Sequence, residues 1–306
     1  MHKRLDPKLD VVFKILFSAQ ENRELLISLL SAVLRPSSPI ASVQVLNPEM
    51  PKELVTDKGS VLDLHVKLAD GRQIDVEMQA GLRHGLRSRA LYYWARMYGA
   101  QLQPGMAYVE LKPCVAIFIL GYSELPSDRF HSTFELLEVH NGERFSAQLE
   151  LHMLELPKLP EPRASGGDEA LLEDWGRFLA ARSDQELEEL AMSNPVIAKA
   201  KGALDFLSAQ PDVQELARQR ELAVHAYITE IRAGEAKGRA EGWAEGEAKG
   251  EAKGRAEALL ALLHARGLTV PQEVCAQIRA CMDIDVLDGW ITRAATAASV
   301  DEVVDS

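Results

Sequence analysis

Residues 61–79 read VLDLHVKLADGRQIDVEMQ, and their alternation decides what this chain builds. In the first half Leu62, Leu64, Val66 and Leu68 share one face, while Val61, Asp63, His65 and Lys67 share the other. In the second half Ile74, Val76 and Met78 alternate with Asp75, Glu77 and Gln79. A period of two on both sides of a glycine-containing turn predicts a β-hairpin. A three-residue loop, Ala69-Asp70-Gly71, puts glycine at the left-handed position such loops require. That loop pairs Leu68 with Arg72, and counting back pairs Val66 with Ile74, Leu64 with Val76 and Asp63 with Glu77. A shift of one residue would mix the two faces, so this is the self-consistent register.

The register has a chemical consequence. Directly opposed residues have Cβ atoms roughly 4.5–5.5 Å apart, where like charges repel. Two carboxylates so placed are stabilised by a cation between them, and Mg²⁺ is typically held by one or two carboxylates with waters and substrate phosphate oxygens. A half-solvated hairpin, with acids facing each other on its wet side, is the other reading of the same pattern.

With 306 residues the chain can bury a large core and form more than one domain. Hydrophobic content of 47% and charged content of 26% are those of an ordinary soluble protein, with no run long enough to span a bilayer. No apolar leader follows HKRLDPKLD, and Cys114, Cys275 and Cys281 lack paired spacing; a reducing cytoplasm is the expected location. The net charge of −12 is uneven: residues 1–125 carry 15 Lys+Arg against 13 Asp+Glu, and the remainder 19 against 33. No acid falls between Ala80 and Val109, where Arg83, Arg87, Arg89 and Arg96 lie with His84. Such a local basic surface suits phosphate contacts, and equally suits a helix with ordinary exposed arginines.

Helical spacing over 7–19 and then over ENRELLISLLSAVL predicts two helices before a short strand at 40–46. After the hairpin, residues 86–103 predict an amphipathic helix, with Leu86, Ala90, Tyr93, Trp94 and Met97 on a buried stripe and Arg89, Tyr92 and Arg96 on a second face. CVAIFILGY, 114–122, fits a strand covered on both sides. Segments 131–139 and 144–156 flank the hairpin dipeptide Asn141-Gly142. From Asp168 onward the pattern is helical, including one long segment over 195–231. Residues 234–257 are six tetrads, GEAK GRAE GWAE GEAK GEAK GRAE, with glycine every fourth position. Each such glycine costs a helix about 1 kcal/mol relative to alanine. Close approach of another helix, or a charged spacer, accounts for the stripe. Residues 258–306 read as a small helical module, with Gly267 stopping its first helix.

The opening DPKLDVVFKILF, the Asp63 and Glu77-x-Gln79 strands, the RALYYWARMY helix and LHMLELPKL together resemble the bacterial recombination-promoting nuclease (Rpn) family, also described as transposases of the PD-(D/E)XK nuclease superfamily. The resemblance covers about the first 250 residues and rests on the order and spacing of its motifs. It implies an α/β restriction-endonuclease-like core, a mixed sheet flanked by helices, over 1–160. An all-α C-terminal region would follow: an extension over 168–233, the tetrad helix over 234–257 and the module over 258–306. Carried onto this chain, Asp63 and Glu77 match the metal-binding acids, and Gln79 stands where most of the superfamily has lysine. The Met78 carbonyl is a third candidate ligand, and Asp10 matches a position where many members carry another acid. Lys14 or Arg89 would supply the missing positive charge, and Arg83, Arg87 and Arg96 would contact DNA. The implied activity is Mg²⁺-dependent (or other divalent-cation-dependent) DNA endonuclease chemistry linked to recombination, in a homo-oligomer, a dimer, joined through the helical C-terminal half. The alternative is a catalytically weak DNA-binding or assembly factor that keeps the nuclease fold.

Overall fold

A computed structural model describes residues 4–46, 64–81, 85–161 and 168–304, so Asp63 and Arg83 lie outside the described residues. The chain forms two compact units, divided between His225 and Ala226.

The first unit begins with α1 (Asp10–Ser18) and α2 (Arg23–Leu34), whose apolar faces supply Val12, Phe13, Leu16, Leu26 and Leu30 to the core. The sheet follows: β1 (Val43–Val45), β2 (Leu64–Leu68), β3 (Gln73–Gln79), β4 (Cys114–Leu120), β5 (His131–Leu137) and β6 (Arg144–Glu155). Their order across the sheet is β1-β2-β3-β4-β6-β5. β1, β2 and β3 run antiparallel, β3, β4 and β6 are mutually parallel, and β5 returns antiparallel along β6.

The hairpin has the expected register: Leu64 faces Val76, Val66 faces Ile74, and Leu68 N–H donates to the Arg72 carbonyl. Gly71 has φ +91°, the left-handed conformation the loop demands. The strand expected over 40–46 is shorter, Val43–Val45.

One face of the sheet packs on helices. Val66, Ile74, Val76, Val115 and Ile117 share a single cluster with α1, α2 and four later helical segments. These are α4 (Asp168–Ala180), α5 (Asp184–Ser193), α6 (Pro195–Ser208) and the start of α7 (Pro211–Ala265). Trp175 of α4 is fully buried and donates its indole N–H to Ser28 Oγ at 3.1 Å. The helices on either side of the expected linker therefore share one core. The long helix expected over 195–231 breaks between Ser208 and Pro211, because the residue before proline disfavours helix while proline suits a first turn. The other face is covered by α3 (Leu86–Gly99), whose Leu86 and Ala90 pack on Ala116, Phe118, Leu120, Leu151 and Met153.

The second unit has its own core. Ala252, Ala256, Leu259 and Leu263 of α7 pack with Ile278 of α8 (Gln272–Ala280), Leu287 and Trp290 of α9 (Ile284–Ala294), and Val303 of α10 (Asp301–Val304). Gly267, φ +76°, ends α7 as its position predicts. Of the tetrad alanines, Ala252 and Ala256 pack into this core, while Ala236, Ala240, Ala244 and Ala248 are exposed. A Cβ added to any glycine from Gly234 to Gly254 would meet nothing within 4 Å.

Candidate active site

β3 lies inside the sheet and is buried on both faces beyond its first residue. The alternation of 73–79 therefore marks a covered polar face rather than a wet one. Asp75 is 0% exposed, Glu77 2% and Gln79 6%. Register partners share a face, so Asp75 aligns with Ala116 and Leu151, Glu77 with Phe118 and Met153, and Gln79 with Leu120 and Glu155. The polar row of β3 thus borders the apolar ground that α3 covers. It ends at the C-terminal tips of three parallel strands, where ligands gather in open α/β sheets.

The strand tips are tied together by backbone. Gly121 N–H donates to the Gln79 carbonyl at 2.8 Å, and a Cβ at Gly121 would meet the Ala80 carbonyl oxygen at 2.6 Å. Alternation along β3 then turns the Met78 carbonyl toward the β2 side. Glu155, 0% exposed, accepts from the N–H groups of Glu124 and Leu125 and pairs with Lys158 at 2.8 Å, so it anchors the loop leaving β4. Two acids escaped the sequence reading here, Asp75 and Glu155. Alternation had placed Asp75 on the Glu77 face; the alignment of Glu155 with Gln79 depends on long-range strand pairing.

Besides Oε2 of Glu155, two side chains near this face hold atoms without partners among the described residues. Oε1 of Gln79, and Nε and Nη2 of Arg89, are buried and make no hydrogen bond to the described residues. Arg89, Tyr92 and Arg96 recur along one side of α3, as expected. Arg89 is half-buried there, whereas Tyr92 and Arg96 are exposed, with the Arg96 guanidinium 5.7 Å from the Tyr92 ring centre. Arg87 is exposed and engages Glu124, Nε to Oε1 at 3.2 Å.

The α1 candidates have different surroundings. Lys14 is 1% exposed. Asp10 is gripped by Arg220 of α7, whose Nε lies 3.0 and 2.9 Å from its two carboxylate oxygens. Among the described residues no three His, Cys, Asp or Glu side chains form a cluster able to hold a metal ion. Glu77, the Gln79 oxygen and one further carboxylate would nevertheless be an all-oxygen set of the kind Mg²⁺ takes with retained waters.

On the strand facing Asp75, His65 lies 2.9 Å from the Gln73 side chain, and burial pushes its pKa below the usual histidine value. A mixed sheet with acids on a covered central hairpin and helices on both faces defines a PD-(D/E)XK nuclease-like protein. A model of the PD-(D/E)XK nuclease family transposases matches residues 7–234, and the chain belongs to that family. No curated protein and no solved structure matches it. No helix among the described residues is long and apolar enough to cross a membrane.

Proposed function

We propose that this protein is an endonuclease that hydrolyses DNA phosphodiesters with Mg²⁺, or another divalent cation, held by Asp63, Glu77 and the Met78 carbonyl. The observation that carries this reading is Gln79. Its side chain is 6% exposed on the Glu77 face, yet Oε1 has no donor among the described residues. Leaving a buried polar atom unsatisfied costs about 1–3 kcal/mol, so its natural partner is a water or substrate group absent from the folded chain alone.

A cation bound there would polarise the scissile phosphate and make the attacking water more acidic. Glu77 supplies the negative charge that localises it. Gln79 orients the attacking water by accepting its hydrogen, and carries no charge of its own. Stabilisation of the phosphate's developing charge then falls to Arg89, whose buried Nε and Nη2 have no partner among the described residues, with Lys14 as a second source. Asp10 acts structurally, because Arg220 occupies its carboxylate. Arg83, Arg87 and Arg96 contact DNA phosphates beside the site, and the protein works in the cytoplasm as a dimer joined through its helical C-terminal half.

Plasmid nicking with and without Mg²⁺, comparing wild type with Asp63→Ala, tests the proposal. Nicking that needs Mg²⁺ and disappears in the variant supports it. The neutral Gln79 in the lysine position favours a second reading, a DNA-binding factor with little catalysis. DNA retention in a gel without nicking would select that one.

A further inference from the structure

α3 packs across β4, which lies between β3 and β6, so one flank of the helix faces each of those strands. Arg87 engages Glu124, whose N–H donates to Glu155 of β6; Arg87 therefore marks the flank toward β6. At about 100° per residue, Arg89 and Arg96 lie about 180–200° round the axis from Arg87, on the flank toward β3. Tyr92 falls within about 60° of both. The flank beside the polar row of β3 thus carries a half-buried arginine, then an exposed tyrosine, then an exposed arginine.

Tyr92 is 57% exposed, with the Arg96 guanidinium 5.7 Å and the Tyr93 ring 5.8 Å from its ring centre. A phenol ring and a guanidinium held together form a flat, positively charged platform. α3 has no acid of its own to neutralise it, nor does any position from Ala80 to Val109. The next acid along the chain, Glu110, is engaged by the Ala107 N–H at 2.8 Å. Charge alone would serve duplex DNA, whose bases already stack on one another. An unpaired base has a bare π-face, and stacking on an aromatic ring or an arginine stabilises it.

We propose that this flank of α3 binds single-stranded DNA, with one unpaired base stacked on Tyr92 and Arg96 and the phosphate beside it on Arg89. Residues three apart on a helix have Cβ atoms roughly 5–6 Å apart, so a base on Tyr92 lies next to a phosphate on Arg89. The flank then selects a strand with an unpaired base beside the phosphate to be cut. This rests on the nuclease reading only in taking DNA as the ligand.

Fluorescence anisotropy of the full chain in EDTA tests this without cleavage, with a labelled oligothymidylate and a duplex of equal length as separate probes. Tyr92→Ala should weaken oligothymidylate binding about five- to hundredfold, the scale of one base–aromatic stack, and leave duplex binding within about twofold. Tyr92→Trp should bind oligothymidylate at least as tightly as wild type. Stacking releases no counterions, so the Tyr92→Ala loss should be the same at low and high salt. Arg96→Gln should instead flatten the salt dependence with both probes. Tyr108→Ala, at a tyrosine 79% exposed ahead of β4, should change nothing. Absence of oligothymidylate binding overturns the proposal. So does binding unaltered by Tyr92→Ala, an exposed position whose loss leaves the fold intact, or an equal loss with duplex. A protein that binds as expected yet never nicks plasmid in Mg²⁺ supports this proposal and removes only the nuclease reading.

Discussion

Arg220 and Asp10, 210 residues apart, form a buried bidentate ion pair that fastens the first helix to the start of the long one. Their side chains are 3% and 12% exposed. Removing one member of such a pair leaves an uncompensated buried charge, which costs about 3–5 kcal/mol, whereas replacing both by apolar residues is often close to neutral. Arg220→Met should therefore lower the melting temperature sharply, and adding Asp10→Leu should recover much of the loss. Thermal melts of the two single variants and the double variant check this; additive losses would mean the pair is not the source of the effect.

On the proposed mechanism Glu77→Gln and Asp63→Asn should each reduce Mg²⁺-dependent nicking by at least about a hundredfold, because each would remove a charge proposed to localise the cation. The fold should persist. At Glu77 the substitution removes a charge from a side chain that is 2% exposed, and burying an amide costs less than burying an ion. Nicking by either variant at the wild-type rate would remove the site from Asp63 and Glu77. Gln79→Lys should retain activity if a cation serves at that position.

Acid should loosen the first unit through His131. Its folded pKa, about 4, lies below the ordinary histidine value of 6.5, so the unfolded chain binds the proton more readily. The stability this group contributes is complete above pH 6.5 and is lost as pH falls toward 4. His65, also depressed by burial, acts in the same direction. The melting temperature of His131→Gln should accordingly fall less than that of wild type between pH 6.5 and 4. Parallel curves for the two proteins would show that His131 does not titrate differently on folding.

Burial pushes the Cys114 thiol up to about 12, with only partial compensation from its hydrogen bond to Gln101. Reactivity follows the thiolate, so Cys114 should resist iodoacetamide at pH 8 in the native protein and react on unfolding. Cys275 and Cys281, both partly exposed, should label first. Mass mapping of the adducts decides; early labelling of Cys114 would mean β4 opens locally.

The sequence made the hairpin legible because two local signals agreed, alternation on both strands and a glycine at the left-handed loop position. Coverage was a different matter. A period of two is the same for a wet polar face and for a covered one, so the burial of Glu77 and Gln79 depends on tertiary packing that no local pattern encodes. Spacing puts Arg89, Tyr92 and Arg96 on one side of α3, but carries no signal that the first is half-buried and the other two exposed. Glu150 and His152, two apart on one strand, already shared a face by alternation. The hydrogen bond between His152 and His131 depends on a β5–β6 register that slips around Leu136, which no local pattern encodes. The Asp10–Arg220 pair lay beyond any periodicity.

The tetrad helix supports the last prediction, that the protein self-associates through its C-terminal half. The glycine stripe is open: Gly242, Gly246 and Gly250 have no atoms within 4 Å of an added Cβ. Six glycines cost this helix about 1 kcal/mol each relative to alanine, and among the described residues nothing packs against them in return. The neighbouring ion pairs at i,i+4, such as Arg255 with Glu251, face solvent and add little to its stability. Close contact with a second copy would offset the glycine cost. Because a four-residue repeat drifts about 40° per step, such a contact would be a short crossing rather than a long seam. Trp243, 78% exposed beside the stripe, reports on it. Light scattering at micromolar concentration should give a dimer, and dilution should shift Trp243 emission to the red. Leucine at Gly242, Gly246 and Gly250 should break the dimer. If full-length protein is a monomer, the stripe is a solvated spacer, and alanine at the same three positions should then simply stabilise the helix. If a dimer survives the leucine substitutions, its interface lies elsewhere.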